Sequence, residues 1–189
     1  MAITKKRLKL CLYGNVYGAY RSQNLLKILL DEGYRVAWIA PEFYQEKGLK
    51  KDLIAKLAHK LLLFYSIIDL LTKALLSDVL YVLPVNVRLI KVALWISRLC
   101  KTKLIIELHA LLYDSLVEDQ QTVACESSEA KALKSLDVIA LTQPDYLIDL
   151  AEYEVDYWAD LLNVEVDKNK LFIAPLFTEP VGFHKKDYI

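Results

Sequence analysis

The stretch LKLCLYGNVYGAYRSQNLLKILLDEGYRVAWIAP, residues 8–41, decides the fold. Leu8 to Tyr13 is short, apolar and β-compatible, and it runs into the glycine-bounded turn Gly14-Asn15-Val16-Tyr17-Gly18. Leu25, Leu26, Ile28, Leu29 and Leu30 then recur at helical spacing. Gly33 stands where a helix end takes glycine, and Arg35 to Ala40 resumes a strand stopped by Pro41. Strand, glycine turn, helix and strand make a βαβ unit.

Outward from this unit the alternation continues. Residues 48–76 carry apolar positions Leu53, Leu57, Leu61, Phe64, Ile68, Leu71 and Leu75 on one helical stripe, with Asp52, Lys56, His59 and Lys73 opposite. Asp78 to Leu83 is a nearly continuous apolar run ended by Pro84, as expected of a strand buried on both faces. A helix follows over 87–100 and a fourth strand over Lys103 to His109, then a polar loop or frayed helix over Tyr113 to Thr122. The spacing next predicts a helix over Glu126 to Leu136, a fifth strand over Asp137 to Thr142 and a helix from Pro144 to Leu150. A helix over Tyr153 to Leu162 and a sixth strand over Leu171 to Ala174 complete the series. The predicted fold is α/β: a Rossmann-like, open, mostly parallel sheet with helices on both faces, as a single domain over residues 1–189.

Composition narrows the class. The chain has 189 residues, 55% hydrophobic, with five Gly, five Pro and neither repeats nor low-complexity runs, so it can bury one sizeable core. Its 24 basic and 24 acidic residues cancel, yet residues 1–105 hold 18 Lys/Arg against 7 Asp/Glu, and residues 106–189 hold 6 against 17. An anionic partner for the first half is the stronger reading of that split; drift of solvated faces is the other. Cys11, Cys100 and Cys125 form no pair at metal or redox spacing and read as reduced, buried thiols. No stretch reaches the length of a membrane-spanning helix, and the basic start reads as the flank of a first strand rather than a signal peptide.

In a parallel sheet, ligands bind beyond the carboxyl ends of the strands, and this selects the candidates. The turn Gly14, Asn15, Tyr17 and Gly18 opens a helix whose free N–H groups favour an anion, and Arg21 in the first turn supplies a further charge. The same glycines also read simply as a tight turn. Their spacing fails the dinucleotide fingerprint Gly-x-Gly-x-x-Gly, although Glu42 stands where a ribose-binding acid would. His109 ends the fourth strand, either as a structural residue or as a donor to a sugar hydroxyl or phosphate oxygen. No second His or Cys stands at ligand spacing, so no metal is expected. Gly-x-Ser-x-Gly is absent. Lys47, Lys50, Lys51, Lys56 and Lys60 precede the run Leu61 to Tyr65; a basic amphipathic helix of this kind covers a sheet, lies in an anionic membrane interface, or does both. Nucleic acid is not expected, because aromatic and basic residues do not interleave on strands.

The order of these pieces resembles the N-terminal domain of the large retaining GT-B glycosyltransferase family that includes sucrose and trehalose-phosphate synthase relatives. Leu10 to Gly14 with Gly18 is similar to that family's first strand and glycine loop, Asp31 to Val36 to its recurrent helix ending, and Asp78 to Val82 to its third strand. Leu104 to His109 resembles the fourth strand with its terminal His, Leu136 to Thr142 the strand that ends in Ser, and Leu171 to Pro175 the closing segment. The chain departs from the pattern in having no Gly-Gly pair, in Thr142 for Ser, and in Leu176 to Glu179 after Pro175.

The resemblance implies an acceptor-binding half of an enzyme that moves a sugar from a nucleotide-sugar to a glycan or lipid-linked acceptor. Gly14, Asn15, Tyr17, Gly18, Arg21 and Thr142 would contact substrate, His109 would act in catalysis, and the nucleotide-sugar would serve as donor with no further cofactor. The donor-gripping C-terminal domain lies outside these residues, so the chain is expected to be inactive alone and to work at the cytoplasmic face of a membrane. Two alternatives stay open: a non-catalytic, membrane-recruiting subunit of a split glycosyltransferase, and a nucleotide- or NAD-binding Rossmann enzyme.

Overall fold

The computed structural model describes residues 8–40 and 53–175. Six strands form one sheet: β1 Lys9–Tyr13, β2 Arg35–Ile39, β3 Val79–Val82, β4 Lys103–Glu107, β5 Tyr146–Asp149 and β6 Leu171–Ile173. Their order is β2-β1-β3-β4-β5-β6, and every neighbouring pair is parallel. Among the described residues five α-helices join them: α1 Tyr20–Asp31, α2 Leu53–Leu75, α3 Ile90–Cys100, α4 Ser128–Thr142 and α5 Glu152–Leu162. A single wide helical turn, Asp114–Asp119, occupies the stretch read as loop or frayed helix. The chain is a Rossmann-like open α/β sheet.

Strand order dictates which face each helix covers. From β1 to β2 the chain steps one way along the sheet; every later crossover steps the other way, so a constant right hand sends α1 to one face and α2 to α5 to the other. Alternate strand residues divide accordingly. Cys11, Tyr13, Leu80, Val82, Leu104, Ile106 and Leu147 pack with α2 to α5, whereas Leu12, Tyr81, Ile105 and Ile148 pack on the side of Leu25, Leu26 and Leu29 of α1. β1 and β3 are buried on both sides, as their unbroken apolar runs require. Towards β6, on the α1 side, Tyr146 and Phe172 remain exposed and meet edge to face at 5.8 Å.

One expected segment is corrected. The residues read as a fifth strand, Asp137 to Thr142, form the last turns of α4, and β5 lies where a helix from Pro144 was expected. Both conformations suit the apolar run Leu136 to Leu141 taken alone. Longer-range features decide it: Ser127 caps the helix by accepting from Ala130 N at 3.0 Å, and the buried positions Ala130, Leu133, Asp137, Ala140 and Leu141 follow helical spacing. Asp137 is fully buried and accepts from Leu112 N at 3.1 Å and Tyr113 N at 2.6 Å. Those bonds lock the register of α4 against the preceding loop. Asp145 in turn holds the start of β5 by accepting from Leu104 N at 2.9 Å and from Lys103 Nζ at 2.6 Å.

Candidate functional site at the C-terminal rim

Because β1 leads outward to β2 while β3 leads the opposite way, their carboxyl ends mark the switch point of the sheet, where open parallel sheets collect ligands. The loops after β1 and β3 stand there. Gly14 has φ 135, a conformation that side-chain-bearing residues rarely adopt, and a Cβ there would lie 2.7 Å from Asn86 Nδ2 and 2.8 Å from its Cγ. Its carbonyl accepts from Trp38 Nε1 at 2.7 Å, so the turn is tied to the second strand as well. On the opposite lip Val85 holds φ 66 while 64% exposed. A β-branched residue in that region is strained, and such strain gathers where a backbone is shaped for a ligand.

Gly18 differs from Gly14. Its backbone is ordinary, and a Cβ would meet nothing nearer than Asn15 at 3.4 Å. Asn15 caps the short turn by accepting from Tyr17 N at 3.0 Å, and the exposed Tyr17 ring packs edge-on against Trp38 at 5.3 Å. Gly14→Ala is therefore expected to cost about 1–3 kcal/mol of stability from strain and the displaced Asn86. Gly18→Ala should stay within about 0.5 kcal/mol. Urea midpoints of the two variants measure the contrast, and equal losses would contradict this account of the turn.

Beneath the rim lies a buried polar cluster. Glu107, at the end of β4, is 2% exposed; Arg21 Nε donates to its Oε1 and Tyr81 Oη donates to its Oε2 at 2.7 Å. Burial pushes the Tyr81 hydroxyl well above the usual tyrosine range, so it stays a donor. At the end of β5, Asp149 is fully buried, and its Oδ1 accepts from Leu150 N. Its Oδ2 and Oε2 of Glu154 are both buried without a hydrogen-bond partner. Burial first, and then the Glu154 carboxyl, push Asp149 up to about 6, while the hydrogen bond from Leu150 N and, more weakly, Arg21 pull the other way. Beside Arg21 and Glu107 opens a mainly apolar groove of about 260 Å³, lined by Tyr20, Leu25, Ile28, Ile148 and Pro175.

The expected site residues divide into those that share the rim and those that do not. Gly14, Asn15, Tyr17 and Gly18 follow β1, and His109 is exposed two residues beyond β4, so all stand at carboxyl ends of parallel strands. Arg21 is near them, but its pairing with Glu107 cancels the charge on which a phosphate contact relied. Thr142 is corrected: it ends α4 rather than a strand, its hydroxyl donates to Val138 O at 2.7 Å, and it therefore sits at the opposite edge of the sheet. Asn86, Val85, Glu107, Tyr81, Asp149 and Glu154 were not anticipated from the sequence.

Lys47, Lys50, Lys51 and Glu42 fall outside the described residues, and Lys56 and Lys60 belong to α2. From Leu61 onward most of the stripe on α2 faces outward, while Leu71 packs against the core. Leu61, Phe64, Ile68 and Leu75 are exposed, whereas Ser66, Leu70 and Ala74 are buried. Lys73, expected on the solvent side, is half-buried and donates to Asp69 at 2.7 Å and Trp38 O at 3.1 Å. Of the cysteines, Cys11 is buried and pushed up to about 12 by burial, while Cys125 is exposed, contrary to the expectation of buried thiols. Among the described residues no group of three His, Cys, Asp or Glu could hold a metal, and no helix is long and apolar enough to cross a membrane. No protein-family model matches this chain, and no curated protein matches it.

Proposed function

We propose that this chain is the acceptor-side half of a GT-B-type glycosyltransferase, moving a sugar from a nucleotide-sugar to a glycan or lipid-linked acceptor at the cytoplasmic face of a membrane. The observation that carries the reading is the shared rim. The Gly14 turn, the strained Val85-Asn86 lip and the His109 imidazole all lie at carboxyl ends of one parallel sheet, around its switch point. In this reading the Gly14 turn binds the donor diphosphate, His109 approaches the transferred sugar, and a second unit supplies the remaining contacts to the nucleotide. Thr142 has no part in it.

One observation favours a second reading, a non-catalytic subunit that recruits a separate catalytic half. Arg21, in the first turn of the helix that follows the glycine turn, is neutralised by buried Glu107, and Asp149 and Glu154 add carboxyls rather than positive charge. Thermal unfolding of the chain with UDP-sugars, GDP-sugars and NAD separates the possibilities. A ligand present at about ten times its Kd adds about 1.4 kcal/mol, a Tm rise of about 3–5 °C for a chain of this size. The proposal expects such a rise with a nucleotide-sugar, reduced in His109→Ala, and none with NAD. A rise with NAD alone defeats it, whereas no rise together with a co-purifying Rossmann-like partner selects the recruiting subunit.

A further inference from the structure

We propose that the cleft at the amino edge of the sheet, between the end of α3 and the starts of β4 to β6, binds a phosphate monoester. This edge lies opposite the rim, so the site goes beyond the function proposed above and does not rest on it. The cleft holds about 350 Å³, a size that suits a small molecule. Arg98 and Lys101 line it from the end of α3, Lys103 from the start of β4 and Lys170 from the residue before β6. Among the described residues the only acid in its lining is Asp145.

What the four cations already hold decides what is left for a ligand. Lys103 Nζ donates to Asp145 Oδ1 at 2.6 Å, and the two charges cancel. The nearest acid paired with Lys170 is Asp167, at 3.9 Å. Arg98 Nη2 donates to Gln143 Oε1 at 2.9 Å; that amide is neutral, so the bond orients the guanidinium and leaves its charge intact. Among the described residues the Lys101 ammonium has neither an ion pair nor a hydrogen bond.

Helix carbonyls attract cations, which accounts for part of the charge at Arg98 and Lys101. They do not account for Lys170, which stands before a strand, or for Thr102. Thr102 lines the same cleft and is 8% exposed, and its Oγ1 is buried without a hydrogen-bond partner. A buried hydroxyl left unpaired is unfavourable, and so are like charges gathered around one cleft. A phosphate relieves both: its oxygens suit the Arg98 fork and the ammonium groups, and one of them can accept from Thr102 Oγ1. Leu94 and Leu104 offer an apolar wall to the esterified group.

Calorimetric titration of the full chain with inorganic phosphate and with glycerol 3-phosphate, at an ionic strength of about 0.15 M, reads the site. A Kd on the order of 0.1 mM is expected for the ester. Arg98→Gln with Lys101→Gln should weaken binding by about tenfold or more, whereas Lys131→Gln, an exposed cation at the far end of α4, should not. Thr102→Val should lower affinity about fivefold while the urea midpoint holds or rises, because an unsatisfied hydroxyl is removed. Vesicles with phosphatidic acid separate the two sources of the ester: retention that the glutamine pair abolishes makes it a lipid headgroup, and no retention makes it a soluble molecule. No binding of either anion up to about 10 mM, or affinity unchanged in the glutamine pair or in Thr102→Val, overturns the proposal. So does binding that His109→Ala weakens and the glutamine pair does not, which would put the anion at the rim.

Discussion

Glu107→Ala should destabilise the chain by about 3–5 kcal/mol, because it leaves the largely buried Arg21 guanidinium and the buried Tyr81 hydroxyl without their shared partner. A domain of this size holds only about 5–15 kcal/mol in total, so the variant should unfold at a much lower urea concentration. Tyr81→Phe deletes one hydrogen bond and leaves Arg21 paired, with an expected loss of about 1 kcal/mol. Replacing both charges with apolar residues of similar size, Arg21→Met with Glu107→Leu, should recover most of the Glu107→Ala loss, since no uncompensated charge stays buried. Equal urea midpoints for Glu107→Ala and Tyr81→Phe would show that the ion pair does not organise this corner.

At Asp149 the expected change has the opposite sign. The folded state raises this carboxyl from 3.8 to about 6, so between those values the folded chain binds more protons than the unfolded one. Stability from this group is therefore full below about pH 4, falls as pH rises and levels off above about pH 6. Asp149→Asn keeps an oxygen for Leu150 N and offers an N–H to Glu154 Oε2. It should add about 2–3 kcal/mol at pH 7, have little effect at pH 4, and remove part of the downward slope. Asp137, also raised to about 6 by burial, retains the remainder of that slope. Urea titrations at several pH values check both; a stability loss at pH 7 would mean that the Asp149 charge is favourable where it lies.

What the sequence disclosed follows from how its elements are punctuated. Gly14, Gly33, Pro41 and Pro84 bound the first strands and helix so sharply that the βαβ opening was legible, and with it the edge where ligands collect. Leu136 to Leu141 had no such punctuation. Its apolar run fits a strand or a helix, and the deciding contacts, from Asp137 to Leu112 N and Tyr113 N, come from residues 24 and 25 positions away. The polar cluster was missed for a related reason: Glu107 and Tyr81 look like ordinary members of apolar strands. A signal was present, since an acid within a strand expected to be buried must find a partner, and Arg21 was the cation already assigned to the same edge. Asp149 could not be found while its strand was read as a helix.

The unequal cover on the sheet gives its two halves different mechanical characters. Among the described residues β1 and β3 are enclosed on both sides, whereas β5 and β6 are shielded on one, and β6 is three residues long and last in the sheet. Local opening begins where the fewest apolar contacts must be broken, so the flank holding Asp149 and Pro175 is the pliable jaw, and the lip of Gly14 and Asn86 is the fixed one. A molecule seated between them meets a template on one side and an adjustable clasp on the other.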